Sequence, residues 1–165
     1  MKYFIKQLSS FLLPISVLII VPYLIEKDRS IDNLIALSIG LLLMIVGLIL
    51  IVSTVSAFIN KGKGSLAPWC PTKKLVITGW YRYIRNPMII GVLLVLAGET
   101  VMFQSRNILI WTVVFCVINH LYFIVIEEPY LTKKFGKEYI KYKSSVPRWI
   151  PRTKPYYQNR DQKSD

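Results

Sequence analysis

Histidine occurs once in these 165 residues and cysteine twice, with no Cys-x-x-Cys pair. That scarcity argues against a His/Cys metal centre and against a dithiol oxidoreductase, because both need clustered ligands or paired thiols. Cys70 falls in a loop and Cys116 within an apolar run, so they read as separate free thiols. Acidic residues are also few, 9 against 21 Lys and Arg, which leaves a net charge of +12. No nucleic-acid motif accompanies that charge, and the positions of the basic residues account for it in another way.

What the chain has in quantity is apolar sequence. Hydrophobic residues make up 53% and the mean hydropathy is +0.44, too high for an ordinary soluble domain. Four runs, at about 8–25, 34–59, 88–103 and 108–126, approach the ~20 residues that cross roughly 30 Å of hydrocarbon as a helix. They predict an all-α integral membrane protein with about four transmembrane helices. One multi-pass domain then occupies residues 1–150, followed by a polar, disordered tail over 151–165. The first run follows Lys2 and Lys6 but lacks a small-residue cleavage pattern, so it reads as a retained helix bent or bounded by Pro14 and Pro22.

Eighteen of the 21 basic residues lie in the N-terminal tail, the loop between the second and third runs, and the stretch from Lys133 onward. By the positive-inside rule, both termini and the central loop face the cytoplasm, and the charge is topological. In the second run, Gly40 and Gly47 share one helical face, where a neighbouring helix can approach closely. Leu131 to Val146 reads as an amphipathic surface segment interrupted at Gly136.

The polar residues that remain are concentrated. Residues 79–91, Gly-Trp-Tyr-Arg-Tyr-Ile-Arg-Asn-Pro-Met-Ile-Ile-Gly, precede the third run, and Glu127-Glu128-Pro129 closes the fourth. The third and fourth runs are joined by a short turn and must return antiparallel, so both clusters end at one membrane face. Trp80, Tyr81 and Tyr83 also suit an interfacial aromatic belt. Arg85 and Asn86 stand just before a proline that suits a helix first turn, a corner fit for a carboxylate. His120 and Glu127 are seven residues apart and would share a face of a regular helix. A carboxylate at a membrane edge can hold an ammonium group, and a site for both groups suits an amino-acid moiety. His120 is either a proton acceptor or a hydrogen-bonding group within the bundle, and Glu99 is a further intramembrane carboxylate near the outer end. A small four-helix transporter and a noncatalytic membrane scaffold are the rival classes.

From Gly62 to Arg152 the chain resembles the isoprenylcysteine carboxyl methyltransferase family, bacterial-type members included, and shares features with phospholipid N-methyltransferases. The resemblance is carried by Lys73-Lys74-Leu75-Val76, Gly79-Trp80-Tyr81, Arg85-Asn86-Pro87-Met88, Gly91, Glu127-Glu128-Pro129, Phe135-Gly136-Lys137-Glu138-Tyr139, Tyr142 and Val146-Pro147-Arg148. It implies a cytoplasmic pocket for S-adenosyl-L-methionine, formed by the central loop and the C-terminal segment. By that resemblance Lys73, Lys74, Leu75, Val76, Tyr81, Asn86, Pro87, Met88 and Ile89 line the cofactor, and Glu127 binds its polar end. Arg85 and Glu128 stand at or next to the catalytic centre. The implied acceptor is lipid-like or prenylated, drawn from the membrane, with no metal and no nucleic acid involved. The implied location is a bacterial inner membrane. The chain departs from the eukaryotic prenylcysteine branch by carrying Phe123 in place of an arginine, Asn86-Pro87 in place of His-Pro, and Ile89 in place of a tyrosine.

Overall fold

The structure, a computed structural model, describes residues 14–62 and 75–157. The start of the first apolar run, residues 63–74 with Cys70, Lys73 and Lys74, and the residues beyond 157 lie outside the described residues. Among the described residues every regular element is helical. In chain order they are α1 (Ser16–Ile25), α2 (Leu34–Gly62), a 3-10 turn (Gly79–Arg82), α3 (Pro87–Met102), α4 (Arg106–Tyr122), α5 (Glu128–Phe135) and α6 (Lys137–Ser145). Two stretches, Leu34–Ala57 and Arg106–Phe135, are long and apolar enough to cross a membrane. The other two apolar helices are shorter; the 16 residues of α3 extend about 24 Å against roughly 30 Å of hydrocarbon. Among the described residues, two of the four expected runs correspond to helices long enough to cross and the third to a shorter helix, while the first run is described only from residue 14.

Helix starts have local causes. Asn33 Oδ1 accepts from the N–H groups of Ile35 (2.9 Å) and Ala36 (3.2 Å) and so opens α2. Pro87 occupies the first turn of α3, where its missing N–H costs no helical bond. Ser105 Oγ caps α4 by accepting from Ile108 N–H at 3.1 Å. Gly136, at φ +55, separates α5 from α6, as the break in the amphipathic segment predicts.

The α2–α3 pair is antiparallel and meets backbone to backbone. A Cβ on Gly40 would lie 2.7 Å from the Gly98 carbonyl oxygen, and one on Gly47 would lie 2.6 Å from that of Gly91. Gly91 and Gly98 approach Gly47 and Gly40 equally closely in return, at 2.8 and 2.6 Å. The glycine face predicted on the second run is therefore answered by a matching face on α3 with the same spacing. On the other side of α3, Val17, Val92, Leu96 and Phe115 bring α1, α3 and α4 into one apolar cluster.

Two π-helical turns interrupt this regularity, Ser16–Ile20 and Phe123–Glu127. Each ends two residues before a proline, Pro22 and Pro129. A proline in a helix clashes with the carbonyl four residues back and donates no hydrogen bond, and the wider turn relieves that clash. The five-residue bonding is seen in Val21 N–H to Ser16 O and Glu128 N–H to Phe123 O. In the same pattern Pro22 leaves the Val17 carbonyl without a donor, and the Trp111 indole N–H supplies one at 3.2 Å.

The C-terminal stretch corrects one expectation. A polar composition predicts disorder from Pro151 onward, yet the chain is packed as far as Tyr157. Arg152 N–H donates to Tyr83 O at 3.0 Å and Tyr156 N–H to Arg82 O at 2.9 Å. Tyr156 is buried with Ile77, Tyr139, Tyr142 and Val146. Composition records the charges of this stretch but not the backbone partners that Arg82 and Tyr83 provide.

Candidate functional site

Residues 75–86, α5, α6 and residues 146–157 fold together into a polar cap at one end of the helices. Thr78 is extended, Gly79 turns the chain at φ +57, and the 3-10 turn then leads through Arg85 into α3. Arg85 N–H donates to Pro147 O at 3.0 Å, and Tyr142 Oη donates to Tyr81 O at 2.7 Å. The segment before α3 is thus clamped against α6 and the C-terminal stretch.

Glu128 is the electrostatic centre of the cap. Its Oε1 accepts from Arg85 Nη1 at 2.8 Å and from Arg148 Nε at 2.9 Å, with Arg148 Nη2 also in contact, and its Oε2 pairs with Lys143 Nζ. The Glu128 side chain is 7% exposed, against 11% for Arg85 and 17% for Arg148. Three cations share one carboxylate, two of them mostly buried and Lys143 partly exposed at 43%, so the cap keeps an excess of positive charge around Glu128. Glu127, the preceding residue, differs. It is half-buried, Glu128 is its charged neighbour, and among the described residues no cation pairs with it. Tyr81 lies beside it. Burial, reinforced by the Glu127 charge, holds the Tyr81 phenol far above its ordinary range, so it stays protonated. Burial does the same to Tyr142.

The other predicted residues fall around this centre. Leu75 packs against the cluster of Ile77, Tyr139, Tyr142, Val146 and Tyr156, and Val76 is buried. Asn86 precedes α3 without spending its side chain on a cap bond, Pro87 is fully buried, and Met88 follows in the first turn. Ile89 packs into the Val17–Phe115 cluster. Tyr81, Arg85, Glu127 and Glu128 therefore come together, whereas Ile89 belongs to the helical bundle. Lys73 and Lys74 lie outside the described residues.

His120 and Glu127 do not stand in the relation a regular helix would give them, because the π turn lies between them. His120 Nδ1 instead accepts from the Trp149 indole at 3.0 Å. Lys143, Arg148 and Trp149 were not singled out from the sequence as site residues. Arg148 had a signal in Val146-Pro147-Arg148, while Lys143 looked like any lysine on an amphipathic helix.

An apolar groove of about 180 Å³ adjoins the cap between α2 and α3, lined by Val46, Leu50, Trp80, Ile84, Pro87 and Ile90, among others. The opposite end of the helices has its own polar knot, where Glu26 accepts from Ser105 Oγ and, at 3.4 Å, from Asn107 Nδ2. The Ser105 hydroxyl holds the Glu26 carboxyl below its ordinary range. Glu99 lies at that end of α3, with Arg29 as its charged neighbour.

Buried polar atoms in the cap bear on what it holds. Thr78 Oγ1 and Arg85 Nε have no hydrogen-bond partner among the described residues. Buried polar atoms are ordinarily paired, so these two, with a Glu127 that meets no cation among the described residues and the surplus of cations around Glu128, suit a bound molecule carrying both signs of charge.

Residues 35–138 match the family described as Phospholipid methyltransferase. The match covers well over half of the chain and takes in α2, α3, α4, α5 and the start of α6. The chain belongs to that family, and thereby to a class of membrane methyltransferases. An uncharacterized protein of Haemophilus influenzae is 33% identical over 63 residues, 38% of this chain and 100% of that protein. No solved structure matches. Arg85, Asn86, Glu127 and Glu128 lie within the family match; Lys143, Arg148 and Trp149 lie beyond it.

Proposed function

We propose that this protein transfers a methyl group from S-adenosyl-L-methionine to a lipid-like or prenylated acceptor. In this reading it has four membrane-spanning helices, and its cap and both termini lie at the cytoplasmic face of a bacterial inner membrane. The reading rests chiefly on the unequal treatment of two neighbouring carboxylates. Glu128 has three cations around it, whereas Glu127 has none among the described residues. A cofactor with an ammonium, a sulfonium and a carboxylate suits that asymmetry. Glu127 would hold the ammonium, and the surplus charge of Arg85, Arg148 and Lys143 would meet the carboxylate. Lys73, Lys74, Leu75, Val76, Tyr81, Asn86, Pro87 and Met88 remain the proposed lining of the cofactor site, whereas Ile89 packs into the bundle beneath it. When bound, the cofactor supplies an electrophilic methyl group on sulfur, and methyl transfer asks the protein mainly for alignment.

The chain's own residues divide that work. Glu128, engaged by three cations, positions Arg85 rather than taking a proton. Tyr81 stays neutral beside Glu127. His120 is committed at Nδ1 to the Trp149 proton, which leaves the proton of a neutral ring on Nε2. To act as a base, Glu128 would have to give up an ion pair and His120 its indole bond. O-Methylation of a carboxylate needs none, and an amine acceptor would have to arrive deprotonated. The apolar groove shares Pro87 with the proposed site, and its Trp80 and Ile84 adjoin Tyr81 and Arg85 in the chain, which supports an acceptor with a hydrocarbon part.

The test is transfer of radiolabelled methyl from S-adenosyl-L-methionine to a bacterial lipid extract and, separately, to a farnesylated cysteine derivative. The expected outcome is label in the organic phase with one of them and loss of that label in Glu127→Gln. No transfer to either, together with no cofactor binding by the folded protein, would point to a transporter or scaffold.

A further inference from the structure

Residues 146–149 run across the π turn that carries Glu127 and are fastened on both sides of it. Before the turn, the Trp149 indole donates to His120 Nδ1 at 3.0 Å and stacks on the imidazole, with ring centroids 6.0 Å apart and planes at 28°. Phe123, the first residue of the turn, meets the same indole edge-on at 5.9 Å. After the turn, Arg148 Nε donates to Glu128 Oε1 at 2.9 Å. Adjacent residues of the C-terminal stretch therefore grip α4 and α5 separately.

The place they bridge is mechanically weak. Pro129 withdraws one helical donor, and prolines and π turns are the places where helices kink. Bending there would swing Glu127 and Glu128 together relative to α4 and Tyr81. The first π turn is steadied in a comparable way, by the Trp111 indole on the Val17 carbonyl.

We propose that Arg148 and Trp149 form a splint across a proline-made hinge. His120 is then a positioning residue: by accepting the Trp149 proton it fixes the direction in which Glu127 faces the methyl-donor site. The splint stands on the geometry alone; its effect on the cofactor rests on the function proposed above. The C-terminal stretch keeps its bonds from Arg85 N–H to Pro147 O and from Arg152 N–H to Tyr83 O when the indole bond is removed, so the variants should still fold.

The experiment uses full-length protein in detergent micelles with three variants. Trp149→Phe keeps a ring and loses the donor, His120→Leu loses the acceptor, and His120→Asn keeps an acceptor oxygen at the Nδ1 position. Amide hydrogen exchange over residues 120–130 should quicken about tenfold in the first two and return most of the way in His120→Asn. S-Adenosyl-L-methionine affinity should fall about tenfold in the same two variants and recover in the third. Wild-type exchange rates in both Trp149→Phe and His120→Leu would overturn the splint. Faster exchange with unchanged affinity would overturn the positioning role of His120. A wild type that binds no cofactor would defeat the methyltransferase reading instead, and the exchange rates would still decide whether the splint exists.

Discussion

The α2–α3 pair and the polar cap are held by opposite means. Where Gly47 meets Gly91 and Gly40 meets Gly98, the backbone of one helix lies against the other and leaves no room for a Cβ. Around Glu128, contact is made through the ends of long side chains, with Arg85, Lys143 and Arg148 reaching from three parts of the chain. In hydrocarbon nothing apolar is gained by pushing helices together, so close fit and van der Waals contact must do it. In the cap a charge is stable only with its counter-charges, so composition there constrains less than partnership. The first region should fail when anything is added, the second when anything is removed.

Glu128→Gln makes the sharpest break. It leaves three cations without their shared anion and should lower stability by about 3 kcal/mol, read as reduced resistance to thermal unfolding in detergent. Gly47→Leu tests the other side. With the Gly91 carbonyl 2.6 Å from a new Cβ, the helices must separate, at about 2 kcal/mol or more by the same assay. Tyr142→Phe removes only the hydroxyl that donates to Tyr81 O and should cost about 1 kcal/mol. Glu127→Gln should leave stability almost unchanged, since no described cation loses its partner. A loss as large as that of Glu128→Gln would erase the distinction between the two carboxylates.

The same contrast explains what was readable in the sequence. Gly40 and Gly47 announced a packing face because helical periodicity turns a seven-residue spacing into a direction in space. Gly136 announced its break in the same local way. Arg85, Glu127 and Glu128 stood out because they sit beside prolines at the ends of apolar runs. Their partners did not: Arg85 and Glu128 are 43 residues apart and Arg148 and Glu128 are 20 apart, separations that no local pattern encodes. The ordered stretch from Pro151 to Tyr157 was missed because its bonds run from its own backbone N–H groups to residues 82 and 83. A seven-residue spacing puts His120 and Glu127 on one face only of a regular helix, and the π turn over Phe123–Glu127, ahead of Pro129, breaks that relation.

The most direct test of the central claim is calorimetric titration of S-adenosyl-L-methionine into detergent-purified wild type and Glu127→Gln. Saturable binding by wild type, weakened about tenfold or more in the variant while its unfolding temperature stays put, is the expected result. Equal affinity in the two proteins, or no binding by folded wild type, would contradict it.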